Sequence, residues 1–383
     1  MTGRHPLLVF GVVSVGLMVA GILVTGRVHP ERYGDAPMAE YYLSMACRCP
    51  WPDMTGAWSI HTVPAPFRWR ILVPWIAGRL PFATATSLAL LTYASLPGYY
   101  FVMLLWCRRL ALPPLAAVAA IVVPFAFEPH LINYFHPYLV EGFSLLLMAV
   151  MVYAFTVDAF ALFAVAGLCG IFAREVTWVL LPMWCARDVK RGVVLATAGA
   201  AAIVGEHAIL WGPPYARPYT IDPMTVLRFH TDHVGNYVRD IRSTWGWAFA
   251  LTPLGLLLLP AERFRAVWPV AVVLAVAAFG SSLFATDTAR LFGVLMPVVL
   301  VAAAQVLALL IDGRKAVLIA LLFGLVILQY CVTPINAFRI DSASVAAMTK
   351  PIRVGTIWAI AAAIALRRPL VERTRQKLRS AAA

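Results

Sequence analysis

A carboxylate that can take a proton and arginines that can hold an anion are the reactive side chains this sequence offers, gathered in a few short patches. The stretch YGDAPMAEYYLSMA carries Asp35 and Glu40. Asp35 ahead of Ala-Pro suits a helix N-cap, where a carboxylate accepts orphan N–H groups. It also suits a general base at a membrane surface, where partial burial lifts a carboxyl into a useful range; the two roles are compatible. PFRWRILVPW sets Arg68 and Arg70 among Phe67, Trp69 and Trp75. They are either interfacial anchors that snorkel to headgroups, or one arginine on lipid and one turned inward to a bound phosphate.

GIFAREVTWVLLP places Arg174 beside Glu175 inside an apolar run. Charges at bilayer depth are costly and usually functional. Sequence neighbours on a helix diverge by about 100°, so these two cannot neutralise each other, and each needs a partner elsewhere or water. FEPHLINYFHPYLVEGF clusters Glu128, His130, His136 and Glu141. Two His and two Glu could ligate a metal, but spacing in a turn equally describes hydrogen-bonded interfacial residues. ATDTARLFGVLMP puts Asp287 and Arg290 at i and i+3, close enough to pair. Glu206 and His207 in IVGEHAILWG sit deep in an apolar run and also need partners.

The elements that must position these groups are membrane segments. The chain has 383 residues, of which 62% are hydrophobic and 13% charged, with a mean hydropathy of +0.81. Soluble domains carry roughly 25% charged residues. Apolar blocks near 7–24, 84–106, 111–127, 137–156, 193–212, 246–260, 267–285, 289–311, 316–333 and 351–366 alternate with polar, Pro-rich and Arg-rich connections. Each approaches the length of about 20 residues that crosses a bilayer as a helix. The expected fold is all-α, a polytopic bundle forming a single membrane domain over 1–383.

One block resists simple counting. Asp158 to Cys185 is too long for one span and too short for two. Half of it makes only about 21 Å of helix, against a hydrocarbon core near 30 Å. A bent pair of short segments is expected, turning at Phe172 to Glu175, and such backbone is tolerated only when buried in protein or lining a cavity. Counting that pair gives about twelve membrane segments.

The basic clusters Arg108-Arg109, Arg187/Lys190/Arg191, Arg263/Arg265, Arg314-Lys315 and the tail over 367–383 then fall on one side, joined by short connections. The positive-inside rule makes that side cytoplasmic, with both termini there. Topology and anionic headgroups explain the net charge of +13 without nucleic acid. The first apolar run continues into TGRVHPERYGD with no small-x-small site and reads as an uncleaved span. Two long outer loops remain, 25–83 and 213–245, whose mixed acids, arginines and aromatics suit interfacial helices. The six cysteines read as separate thiols. No Walker A, dinucleotide or H-E-x-x-H motif is present, and the short inner loops leave no room for a nucleotide-binding domain.

On this topology Asp35, Glu40, Arg68, Arg70, Glu128, Glu141, Arg174, Glu175, Arg217 and Arg290 all fall toward the outer face. A site there would handle a substrate part lipid and part polar or anionic.

Four patches in order carry a resemblance: YGDAPMAEYYLSMA after the first span, RILVP from Arg70 to Pro74, REVTWVLLP, and ARLFGVLMP. Together they resemble the GT-C superfamily of integral membrane glycosyltransferases, especially bacterial mannosyl- or arabinosyltransferase-like members. The resemblance implies transfer from a polyprenyl-phosphate-linked sugar to a glycan, lipid or protein acceptor at the extracytoplasmic face of the plasma (inner) membrane. It implies Asp35 as general base in a single inverting step, with Arg70, Arg174 and Arg290 on the departing phosphate. Glu40, Arg68, Glu128, His136 and Glu175 complete the candidate substrate-binding set, Glu175 by holding an arginine or a loop in place. Many relatives carry paired acids or a large soluble C-terminal domain; here Asp35 stands alone and the tail is short. No cofactor is implied, although a divalent metal is possible. A polytopic transporter or lipid flippase is the rival reading, and a GT-C-like accessory protein without activity is a third.

Overall fold

The computed structural model describes residues 6–28, 39–46, 70–209, 223–283, 291–332 and 355–363. Regular structure among them is helical throughout, with no strand among the described residues. The helices are α1 (Pro6–Val28), α2 (Ala39–Ala46), α3 (Leu72–Ala77), α4 (Thr84–Arg109), α5 (Pro114–Ala120), α6 (Val122–Phe125), α7 (Glu128–Phe135), α8 (Glu141–Thr156) and α9 (Phe160–Ala173). A 3-10 helix follows over Glu175–Ala186, then α10 (Val189–Ile209), α11 (Pro223–Asp232), α12 (Val234–Trp245), α13 (Ala248–Leu257) and α14 (Ala261–Leu283). A 3-10 turn at Gly293–Leu295 leads into α15 (Met296–Asp312), and α16 spans Ala316–Val332. A last helical run covers 355–363.

Four stretches are long and apolar enough to cross a membrane: Pro6–Leu23, Thr84–Arg109, Ala261–Leu283 and Gly293–Asp312. The outward surface agrees with a lipid setting. α1 exposes Leu8, Val12 and Val15, and α10 exposes Val189, Val194 and Val204. Contiguous apolar faces of that kind are rare on soluble monomers. In lipid they cost nothing, and helix association rests on close packing instead. Gly255 on α13 shows the tightness of that packing: a Cβ there would stand 2.4 Å from the Ala302 carbonyl oxygen of α15. α15 itself is the central helix, with 78% of its apolar window buried by its neighbours.

Turn chemistry sets the up-and-down order. α4, α8 and α15 each end on a left-handed residue, Ala111 (φ 53°), Asp158 (φ 60°) and Arg314 (φ 53°). Each closure carries the long backward bond of a Schellman turn: Leu112 N–H to Cys107 C=O (3.0 Å), Ala159 to Ala154 (2.9 Å) and Lys315 to Leu310 (2.9 Å). The orphan carbonyls are thus satisfied and the chain reverses within a few residues. Side chains tie these basic turns together at one end of the bundle. Trp106 Nε1 donates to Thr156 Oγ1 at 2.9 Å, and the Arg187 guanidinium lies over the Phe155 ring. At the other end of α4, Thr92 Oγ1 donates to the Leu139 carbonyl at 3.1 Å, just ahead of α8. α4 and α8 are therefore antiparallel, with arginines at one pole.

The awkward block resolves into two unequal arms. α9 has 14 residues and the 3-10 helix 12. At 1.5 and 2.0 Å per residue these reach about 21 and about 24 Å. A second α-helix of the same residues would reach only about 18 Å, so the tighter winding carries the returning arm back to the basic pole. Small residues let the arms close on each other: a Cβ on Gly170 would stand 2.4 Å from Thr177 Cγ2.

Two expectations change in detail. The 111–127 block is not one uninterrupted helix but α5 and α6, bent at Ile121, because Pro124 has no N–H to give the carbonyl of Ala120. FEPHLINYFHP is not a simple turn but the eight-residue α7, whose first turn holds Pro129 with φ already helical.

Candidate functional site

The break between the arms is one residue wide. Arg174 is extended (φ −163°, ψ 120°), its N–H bonded to the Gly170 carbonyl at 2.7 Å and its own carbonyl accepting from Thr177 at 3.0 Å. The two bonds close α9 and open the 3-10 helix, so Arg174 and Glu175 leave the backbone in different directions. Arg174 is 3% exposed.

Glu175 reaches Arg70, 105 residues away in sequence. Nε of Arg70 donates to Oε2 at 3.0 Å and Nη2 to Oε1 at 2.7 Å, a two-pronged pair. Nη1 donates to the Tyr42 hydroxyl at 3.2 Å. Burial works against the charge on Arg70, but Glu175, Tyr42 and, more weakly, Glu141 outweigh it and raise its pKa well above the ordinary arginine value. The guanidinium is fixed in orientation and charge.

The sequence builds the seat for this pair from five places. Tyr42 and Ala46 of α2, Val73 and Ala77 of α3, Leu88 of α4, Leu139 and Val140 before α8, and Ala173 at the end of α9 form one buried apolar cluster. Arg70 enters the cluster directly ahead of α3, which holds its backbone against α2 and α4. Glu141 opens α8 and is 3% exposed. Glu206 of α10, 6% exposed, lies on the helix packed antiparallel along the 3-10 arm, Gly192 meeting Cys185 and Gly199 meeting Trp178 and Leu181, so that Glu206 falls toward the Glu175 end. Both of its carboxyl oxygens are buried with no hydrogen-bond partner among the described residues. Two arginines and three glutamates thus share one region, at the pole opposite the basic turns.

The candidate residues read from sequence fall unevenly on this region. Arg70, Arg174 and Glu175 are brought together there. His136 caps α7 three residues before the Leu139–Val140 edge of the cluster and is half-buried. Glu40 lies on α2 and Glu128 opens α7, with their side chains outside the described set. Asp35, Arg68 and Arg290 lie outside the described residues, as do Asp287 and Arg217. Among the described residues no three His, Cys, Asp or Glu side chains gather as a metal site. Sequence reasoning passed over Tyr42 and left Glu206 without a role; the signal for Glu206 was an acid inside an apolar run.

A separate polar group lies between α4, α7 and α15. The Tyr100 hydroxyl bonds both His130 Nε2 and the Tyr134 hydroxyl. His130 Nδ1 faces Met296 Sδ at 3.4 Å, and Phe125 packs on both His130 and Tyr134. Tyr100, His130, Tyr134 and Met296 are all buried, and burial pushes the His130 imidazole down to about 3, so the group carries no charge.

Fold and site together describe an all-helical chain, with four helices long and apolar enough to cross a membrane and a buried charged cluster at one pole. Comparison with protein-family models, with curated proteins and with solved structures gives no match.

Proposed function

We propose that this protein is a membrane glycosyltransferase that moves a sugar from a polyprenyl-phosphate donor to an acceptor at the extracytoplasmic face. The observation that carries the reading is the meeting of Arg70, Arg174, Glu141, Glu175 and Glu206 at the pole opposite the basic turns. With those turns cytoplasmic, the cluster faces outward at the level of the lipid headgroups and the upper acyl chains. About twelve membrane segments, both termini in the cytoplasm and a place in the inner membrane complete the reading, with α11 and α12 as interfacial helices. Exposed Met224, Phe229 and Val234 on those two helices suit the headgroup boundary.

In this mechanism Asp35 takes the proton of an acceptor hydroxyl as its oxygen attacks the anomeric carbon. The bond from that carbon to the lipid phosphate breaks, the configuration inverts, and the phosphate leaves with the electron pair. Arg174 meets the growing negative charge, in a place where water is scarce and a fixed cation is worth most. Arg70, oriented by Glu175 and Tyr42, supplies a second positive charge that needs no reorganisation during the reaction. The broken α9 arm also suits a transporter or lipid flippase, whose ligands meet interrupted helices.

Purified protein given polyprenyl-phosphate sugars and an envelope lipid acceptor tests the choice. Wild type transfers sugar, and Asp35→Asn remains folded but loses at least about 100-fold in rate, the lower end for a missing general base. Undiminished transfer by that variant rules out Asp35, and lipid translocation without transfer favours the flippase.

A further inference from the structure

α10 packs along the returning 3-10 arm and carries one acid near its outer end. Glu206 is 6% exposed, and both carboxyl oxygens lack a hydrogen-bond partner among the described residues. Glu175, by contrast, spends both oxygens on Arg70, and Arg70 spends a third N–H on Tyr42. A neutral hydroxyl without a partner, such as that of Tyr99, costs far less than a carboxyl group in the same state. A buried acid with neither partner among the described residues nor solvent is a standing loss of stability, and one on a helix packed along the arm that opens at Glu175 is suited to a ligand that supplies the missing bonds.

We propose that Glu206 is the hydroxyl-binding residue of the site, taking hydrogen bonds from the polyol portion of the ligand while the arginines hold its phosphate. This rests on the glycosyltransferase reading. Hydroxyl is the chemistry that fits, because it both donates and accepts and so satisfies a carboxyl in either protonation state. An ammonium satisfies only the carboxylate, and a metal ion would need further ligands that Glu175, fully engaged with Arg70, does not offer. The placement also explains the lone acid on α10: its cost in the empty protein is offset when the sugar binds.

Two kinds of lipid separate the parts of the claim: a panel of polyprenyl-phosphate hexoses and pentoses, and bare polyprenyl phosphate. The full-length protein in nanodiscs binds both, and Glu206→Leu binds the sugar-bearing lipids about 10–100-fold more weakly, the loss of a hydrogen bond to a charged group. Its affinity for the bare lipid is unchanged. Glu206→Gln, whose amide also donates and accepts, stays within a few-fold of wild type. Thermal unfolding supplies the readout that a structural role would move the other way. Removing an unpartnered buried carboxyl leaves the Tm of the ligand-free protein unchanged or raised. Glu206→Leu with full affinity for the sugar lipids overturns the proposal, and so does equal loss for both lipids with a lowered Tm. Wild type that binds neither lipid overturns the glycosyltransferase reading together with this proposal; intact wild-type binding with an indifferent Glu206→Leu overturns this proposal alone.

Discussion

The molecule buries two polar groups, and they are built on different principles. Around Tyr100 every partner is neutral, and the atoms of the network serve one another: hydroxyl to imidazole, hydroxyl to hydroxyl, imidazole to thioether. Around Arg70 the groups from α8, the α9 break and α10 are ionisable, α2 adds only the Tyr42 hydroxyl, and one carboxyl is left over. A closed neutral network fixes how α4, α7 and α15 pack and needs nothing further. A charged cluster with a surplus acid is poorly suited to holding helices together, since replacing buried ion pairs by apolar groups is often neutral or stabilising. Its retention points to a ligand.

The sharpest way to break that contrast is to remove one half of the ion pair. Glu175→Ala leaves the Arg70 guanidinium buried beside Tyr42 without its carboxylate. Glu175 is 30% exposed at the side chain, against 8% for Arg70, so water relieves part of the penalty, and a loss of about 2–3 kcal/mol is expected in reversible unfolding. Adding Arg70→Leu to Glu175→Ala should recover most of it, because the stranded charge is gone, while transfer stays abolished. Additive losses in the double variant would mean that the pair is a structural tie and not a preorganised charge. A smaller effect comes from the neutral side. Tyr100→Phe removes the hydroxyl that links His130 to Tyr134 and should cost about 1 kcal/mol, with sugar transfer at the wild-type rate. Loss of transfer in Tyr100→Phe at unchanged stability would bring the neutral network into the site and erase the distinction.

Much of the scaffold was legible in the sequence because membrane segments are set by length and hydropathy. Counting residues against bilayer thickness placed the fold-back at Phe172 to Glu175, the stretch in which the structure breaks at Arg174, and sequence adjacency alone showed that Arg174 and Glu175 must look elsewhere for partners. The partner was not legible. Arg70 lies 105 residues from Glu175, and no local periodicity couples a pre-helix loop to a broken span; only the packing of α2, α3 and the α8 entry brings them together. Glu206 showed as an acid in an apolar run, but its want of a partner is a property of the assembled helices. The residues between Phe127 and His136 misled for the opposite reason. With Glu128, His130, Asn133 and His136 around a proline, they resemble a turn, whereas Pro129 in a first turn starts a helix.

The contrast between the two buried groups comes down to what each of them binds. The affinity of the purified protein for polyprenyl phosphate, measured for wild type, Arg174→Gln and Tyr100→Phe under one set of conditions, tests it most directly. Arg174→Gln should bind at least about tenfold more weakly than wild type, as befits a lost charge-assisted contact, while Tyr100→Phe binds as wild type does. Equal affinities for Arg174→Gln and Tyr100→Phe, whether both retained or both lost, would contradict a phosphate site at the α9 break.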